Sequence, residues 1–186
     1  MATLSFIASV VFWSATGVLS PGPLFFAAIS HGPRSGARSG LVLSIGHTLV
    51  EFPLVILLAI GLLTVADQPI AKLSTGVVGG IALLLFGAIQ TRDSFSPRFG
   101  TLKSSGIPSW NPLLIGLVLT GLNPFFVIWW FTVGLDKLIL PSLSLLVFAS
   151  LAGVVVMYVC HVWMDFAWLT IVAHFARVGT NVAGTR

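Results

Sequence analysis

Ser20-Pro21-Gly22-Pro23 interrupts an apolar stretch over residues 4–29, and Asn123-Pro124 interrupts a second over residues 112–134. Proline lacks a backbone donor and clashes with the preceding turn, so a purely structural membrane helix avoids such a break. In each break a preferred N-cap residue, Ser20 or Asn123, stands directly before a proline. Proline at the first helical position gives up only a donor that would be orphaned anyway. Each break therefore reads as the start of a new half-helix. Starting at membrane depth, a half-helix aims unsatisfied N–H groups and a positive dipole end inward, which suits an anion such as a carboxylate. A simple proline kink is the plainer alternative. One break in each half of the chain is the pattern of a transporter binding site.

Apolar residues fill 56% of the 186 positions and charged residues 8%, with mean hydropathy +1.05. Soluble domains carry roughly 25% charge, so this composition predicts an all-α polytopic membrane protein. A span needs ~20 apolar residues, and five candidates occur, at 4–29, 41–65, 73–90, 112–134 and 143–175. The first is too long for a signal-peptide core and has no basic region before it, so it reads as a retained span. Residues 142–176 contain no proline and one glycine, Gly153. They read as one long tilted helix, with a hidden turn as the alternative. The polar stretch holding Arg92, Asp93, Arg98 and Lys103 divides the chain into a first repeat at 1–91, a cytoplasmic loop at 92–110 and an incomplete second repeat at 111–186.

Arg34, Arg38, Arg92, Arg98, Lys103, Arg177 and Arg186 fall on one side of these spans, and Lys72 and Lys137 on the other. The positive-inside rule then puts the N-terminus outside, in a multi-pass plasma-membrane protein. The net charge of +4 is accounted for by this topology, and no basic cluster for nucleic acid is present. Cys160, the single cysteine, excludes an intrachain disulfide. Gly36, Gly40 and Ser44, spaced by four, place small residues on one helix face for close packing. His31 and His174 lie near span ends and read as interfacial.

The ionisable residues inside the spans form a matching pair. His47 precedes Glu51, and His161 precedes Asp165, each by four positions, which puts both members on one helix face. A charged group at the bilayer centre costs ~3 kcal/mol or more, so these four face a cavity or each other. Histidine titrates close to neutral pH, and a carboxylate beside it makes a proton-exchanging pair, as a coupled carrier needs. A neutral pair that glues helices together is the alternative. The recurrence of break followed by His/acid helix also predicts an inverted 3+3 repeat, with helices one and four broken.

These motifs resemble the lysine exporter (LysE/RhtB-type) family: Ser-Pro-Gly-Pro in span one, the Gly-rich basic connection from Gly32 to Gly40, Asn-Pro in span four, and Asp165, Phe166 and Trp168 in span five. The resemblance implies a six-helix inner-membrane carrier exporting amino acids or related small metabolites, driven by a proton or ion gradient and often a homodimer. The family places a basic residue soon after Asn-Pro, where this chain has Phe125 and Phe126. Five apolar stretches precede Arg186, so either the sequence ends before a sixth span or the fifth hides a turn.

As an exporter, the chain would bind a substrate carboxylate at Ser20, Pro21, Gly22, Pro23, Asn123 and Pro124. His47, Glu51, His161 and Asp165 would carry coupling protons and receive the ammonium end. A divalent metal-cation transporter is the second reading, with the same two imidazoles and two carboxylates as a mixed N/O site. No H-E-x-x-H, G-x-S-x-G or Walker sequence occurs, so an enzyme is not expected. No cofactor is implied; the expected partners are a small-molecule substrate and the lipid bilayer.

Overall fold

The computed structural model describes residues 2–65, 77, 81, 111–143, 150–182 and 184. Apart from residues 77 and 81, the predicted third span at 73–90 lies outside the described residues, as does the loop at 92–110. The chain forms α1 (Ala2–Val18), α2 (Pro23–Ser35), α3 (Ala37–Val65), α4 (Pro112–Gly121), α5 (Pro124–Leu143) and α6 (Ser150–Val182). Within α5, residues Trp130–Ile139 are wound as a π-helix. Among the described residues three helices are long and apolar enough to cross a membrane, and α1 and α2, bent by 73° at their break, pass the same test taken together. Large apolar side chains such as Phe12, Leu57, Val159 and Phe175 point outward, as a lipid environment requires.

Both breaks are present, and their chemistry differs. Asn123 caps α5 as expected: its Oδ1 accepts from the Phe125 N–H at 3.1 Å, and Pro124 takes the first helical position. Ser20 does not cap α2. Gly22 is the cap residue, extended at φ −87°, ψ −176°, and Pro23 rather than Pro21 opens the helix. The reason is Pro23 itself, since the residue before a proline is kept out of the α region. A helix starting at Pro21 would need Gly22 to be helical. Asn111, not singled out from the sequence, caps α4 in the same manner through Leu113 N–H at 3.0 Å.

Span bounds shift in the second half. The fourth stretch does not stop at Gly134, because α5 continues to Leu143. Asp136 and Lys137, which look like a span end, pair with each other at 2.7 Å on the exposed side of the helix. Residues 150–182 form one helix; the single helix expected over 142–176 starts later than that, because Ser142 and Leu143 belong to α5, and 144–149 lie outside the described residues.

The small-residue stripe packs α3 against α6. A side chain on Gly40 would strike the Leu169 carbonyl, Gly36 lies under the Arg177 side chain, and Ser44 Oγ donates to the Asp165 carbonyl at 3.2 Å. Gly36 also needs its glycine for a φ of 56° at the α2–α3 turn. These contacts run in opposite senses along the two helices, so α3 and α6 are antiparallel. Two apolar clusters result. One gathers Leu43, Ile115, Leu169 and Ala173 with Ala27 and Ala28; the other gathers Val55, Trp130, Leu138, Met157 and Val10. Between them on both α3 and α6 lies the polar layer.

Candidate functional site

Glu51 is the central residue of α3, and its carboxylate is the hub of that layer. Its Oε1 accepts from His47 Nε2 at 3.1 Å, Trp130 Nε1 at 3.0 Å and His161 Nε2 at 3.3 Å. Oε2 accepts from the Tyr158 hydroxyl at 2.9 Å. A carboxylate only accepts, so both imidazoles present Nε2–H to it and leave Nδ1 for a second partner. Those partners are hydroxyls: Thr120 Oγ1 at 2.9 Å from His47 Nδ1, and Ser14 Oγ at 2.8 Å from His161 Nδ1. A hydroxyl both donates and accepts, so each imidazole keeps its hydrogen bond whether neutral or protonated.

Asp165 is placed differently. Its Oδ1 lies 3.8 Å from His47 Nε2 and its Oδ2 3.5 Å from His161 Nε2, while Oδ2, though buried, accepts no hydrogen bond. All four ionisable residues predicted from the sequence are therefore in one cluster, drawn from two helices and each at most 8% exposed.

A cavity of about 80 Å³ opens beside this cluster. One water needs roughly 10–15 Å³ on this measure, so the space holds several waters or a small solute. Ser20, Gly22 and Pro23 line it from the first break, Asn123 from the second, and His47, Glu51, His161 and Asp165 from α3 and α6. Of the predicted substrate-binding residues, Pro21 and Pro124 do not line it; both are exposed. In the first turn of α2, Leu24 and Phe25 also border the cavity, at positions whose N–H groups have no intrahelical acceptor. Aromatic rings of Phe25, Phe126, Trp129 and Trp168 complete the wall.

Several contributors were not read from the sequence. Tyr158 carried a signal: it is the only tyrosine and lies three residues before His161, on the same face. Ser14, Thr120 and Trp130 carried none. His31 is not interfacial but buried in α2, with Nδ1 bonded to the Ala27 carbonyl at 3.0 Å; His174 is exposed.

One ligand atom each from His47, Glu51 and Asp165 lie within 4.8 Å of one another, close enough to be drawn round a metal ion. The hydrogen bonds argue against that use. Coordination needs a bare imidazole nitrogen and open carboxylate lone pairs, whereas His47 Nε2 faces Glu51 as a donor and Glu51 is already surrounded by four donors.

Broken helices converging on a buried polar cavity inside an apolar bundle define a polytopic membrane protein of the carrier class. Residues 15–186, nearly the whole chain, match the model of the LysE type translocator family, and the chain belongs to that family. No curated protein and no solved structure matches it. The protein is thus a membrane translocator.

Proposed function

We propose that this translocator is a secondary exporter of amino acids or related small metabolites, coupled to a proton or ion gradient. The observation that carries this reading is the meeting of both helix breaks and all four intramembrane ionisable residues at one cavity midway along the helices. The amides at the starts of α2 and α5 suit a carboxylate, while the acids of α3 and α6 suit an ammonium and exchangeable protons. Orientation follows the basic residues: Arg177 lies on Gly36, beside Arg34 and Arg38, and this end is the cytoplasmic one, with the N-terminus outside. The two break-then-His/acid units are inverted repeats in this reading.

Whole-cell efflux of amino acids, compared among wild type, Glu51→Gln and Asp165→Asn, tests the proposal. Both variants are expected to lose at least about tenfold in rate, the scale of losing one charge-assisted contact. Undiminished efflux in both would remove the coupling role.

A further inference from the structure

The two acids of the cavity are not equivalent. We propose that Asp165 is the subsite for the cationic amine of the cargo and the indole N–H of Trp168 the donor to an acceptor on the same molecule, while Glu51 is a positioning residue that holds the frame. The inference rests on the exporter reading only in calling the ligand cargo; the ligand chemistry comes from the side chains.

Glu51 has no capacity left. A carboxylate offers about four lone-pair directions, and four donors from α3, α5 and α6 already occupy Glu51. To bind an ammonium it would have to release at least one of these protein donors.

Asp165 is the reverse case. It is 8% exposed and lines the same cavity, yet its Oδ2 accepts nothing. The donors nearest to it, His161 Nε2 and His47 Nε2, are directed at Glu51 and stay 3.5 and 3.8 Å away. Buried carboxylate oxygens are nearly always satisfied, so this one marks a position for a donor that the chain itself does not supply. Three residues along the same helix face, Trp168 also lines the cavity, and its Nε1 is buried without a partner. An unspent acceptor and an unspent donor thus belong to residues lining the same cavity. Phe25, from the first turn of α2, stacks on Trp168 with ring centroids 6.0 Å apart and fixes the indole plane.

Charge and shape set the ligand class. Among the described residues two acids, two imidazoles and no lysine or arginine line the cavity, and the unoccupied carboxylate oxygen of Asp165 is the point that favours a cation. Aromatic faces add to that preference. The ligand is a small ammonium compound with a hydrogen-bond acceptor a few atoms from its nitrogen: the ammonium on Asp165, the acceptor on Trp168.

The test is ligand binding to the purified protein in lipid nanodiscs, followed by tryptophan fluorescence, with methylamine, glycine and acetate as probes. Glycine is expected to bind more tightly than methylamine, and acetate more weakly than either. Asp165→Asn should weaken methylamine and glycine by about tenfold or more. Trp168→Phe should weaken glycine but leave methylamine within about twofold. Tyr158→Phe, which loosens only Glu51, should leave methylamine within about threefold. Unchanged methylamine affinity in Asp165→Asn, or acetate binding as tightly as methylamine, overturns the proposal. If Asp165→Asn does not fold, the Trp168→Phe series decides, since equal losses for glycine and methylamine contradict the assigned roles. Amine binding through Asp165 without cellular efflux leaves the subsite standing and removes the exporter reading; efflux with binding insensitive to Asp165 does the opposite.

Discussion

At the residue scale, the layer is organised by one saturated carboxylate. Removing a donor from a buried charged acceptor leaves a desolvation cost of about 1–3 kcal/mol. Trp130→Phe takes one donor from Glu51 Oε1, and Tyr158→Phe takes the only donor to Oε2. Both variants should unfold at lower temperature than wild type in detergent, with Tyr158→Phe the more damaging because Oε1 retains two imidazole donors. Equal or raised melting temperatures would contradict the hub role. His47, Glu51, His161 and Asp165 were legible in sequence because an ionisable side chain in lipid is costly and the spacing of four is local. Their neutral partners were not. Serine, threonine and tryptophan are ordinary in membrane helices, and Thr120, Trp130 and Ser14 meet the cluster across 73 to 147 positions of chain.

At the element scale, local chemistry set one break correctly and left the other two residues out. Asn-Pro has a single solution, whereas Ser-Pro-Gly-Pro offers two prolines, and the restriction that Pro23 places on Gly22 selects the later start. Asn123→Ala, which deletes the bond to Phe125 N–H, should therefore cost about 1 kcal/mol of stability. Ser20→Ala, with no capping bond to lose, should stay within about 0.5 kcal/mol. Chemical unfolding of the two purified variants compares them directly; a larger loss at Ser20 would contradict the Gly22 cap. The π-wound part of α5 depends on Gly134, because a Cβ there would collide with the Trp130 ring. Gly134→Ala should push the indole off Glu51, costing about 1–3 kcal/mol and lowering efflux. A neutral Gly134→Ala would mean that the π-helix has room to spare. Nothing in the sequence announced this winding. It follows from a ring packed over the residue four positions on, which no periodicity records.

At the scale of the whole molecule, the polar layer lies between two apolar clusters, one toward the Gly36–Arg177 end and one toward the Lys137 end. A carrier of this build moves cargo by loosening one cluster while the other stays closed. The cluster at the Gly36 end is built from small residues on its α2 side, Ala27 and Ala28. Which compartment it faces is decided by topology. α1 packs Val10 with Leu138 and Ile139 of α5, and Lys137 Nζ sits 5.7 Å over the Trp13 ring, so the start of the chain and the Lys137 end share one side. Arg34, Arg38 and Arg177 share the other. With Cys160 replaced by serine, single cysteines at exposed Ser35 and Asp136 report the two ends. A membrane-impermeant maleimide should label Asp136→Cys on intact cells and Ser35→Cys only in inverted vesicles. The opposite labelling would reverse the orientation while keeping the grouping of the ends, and labelling of both from one side would refute the packing of α1 and α2 as a single broken span.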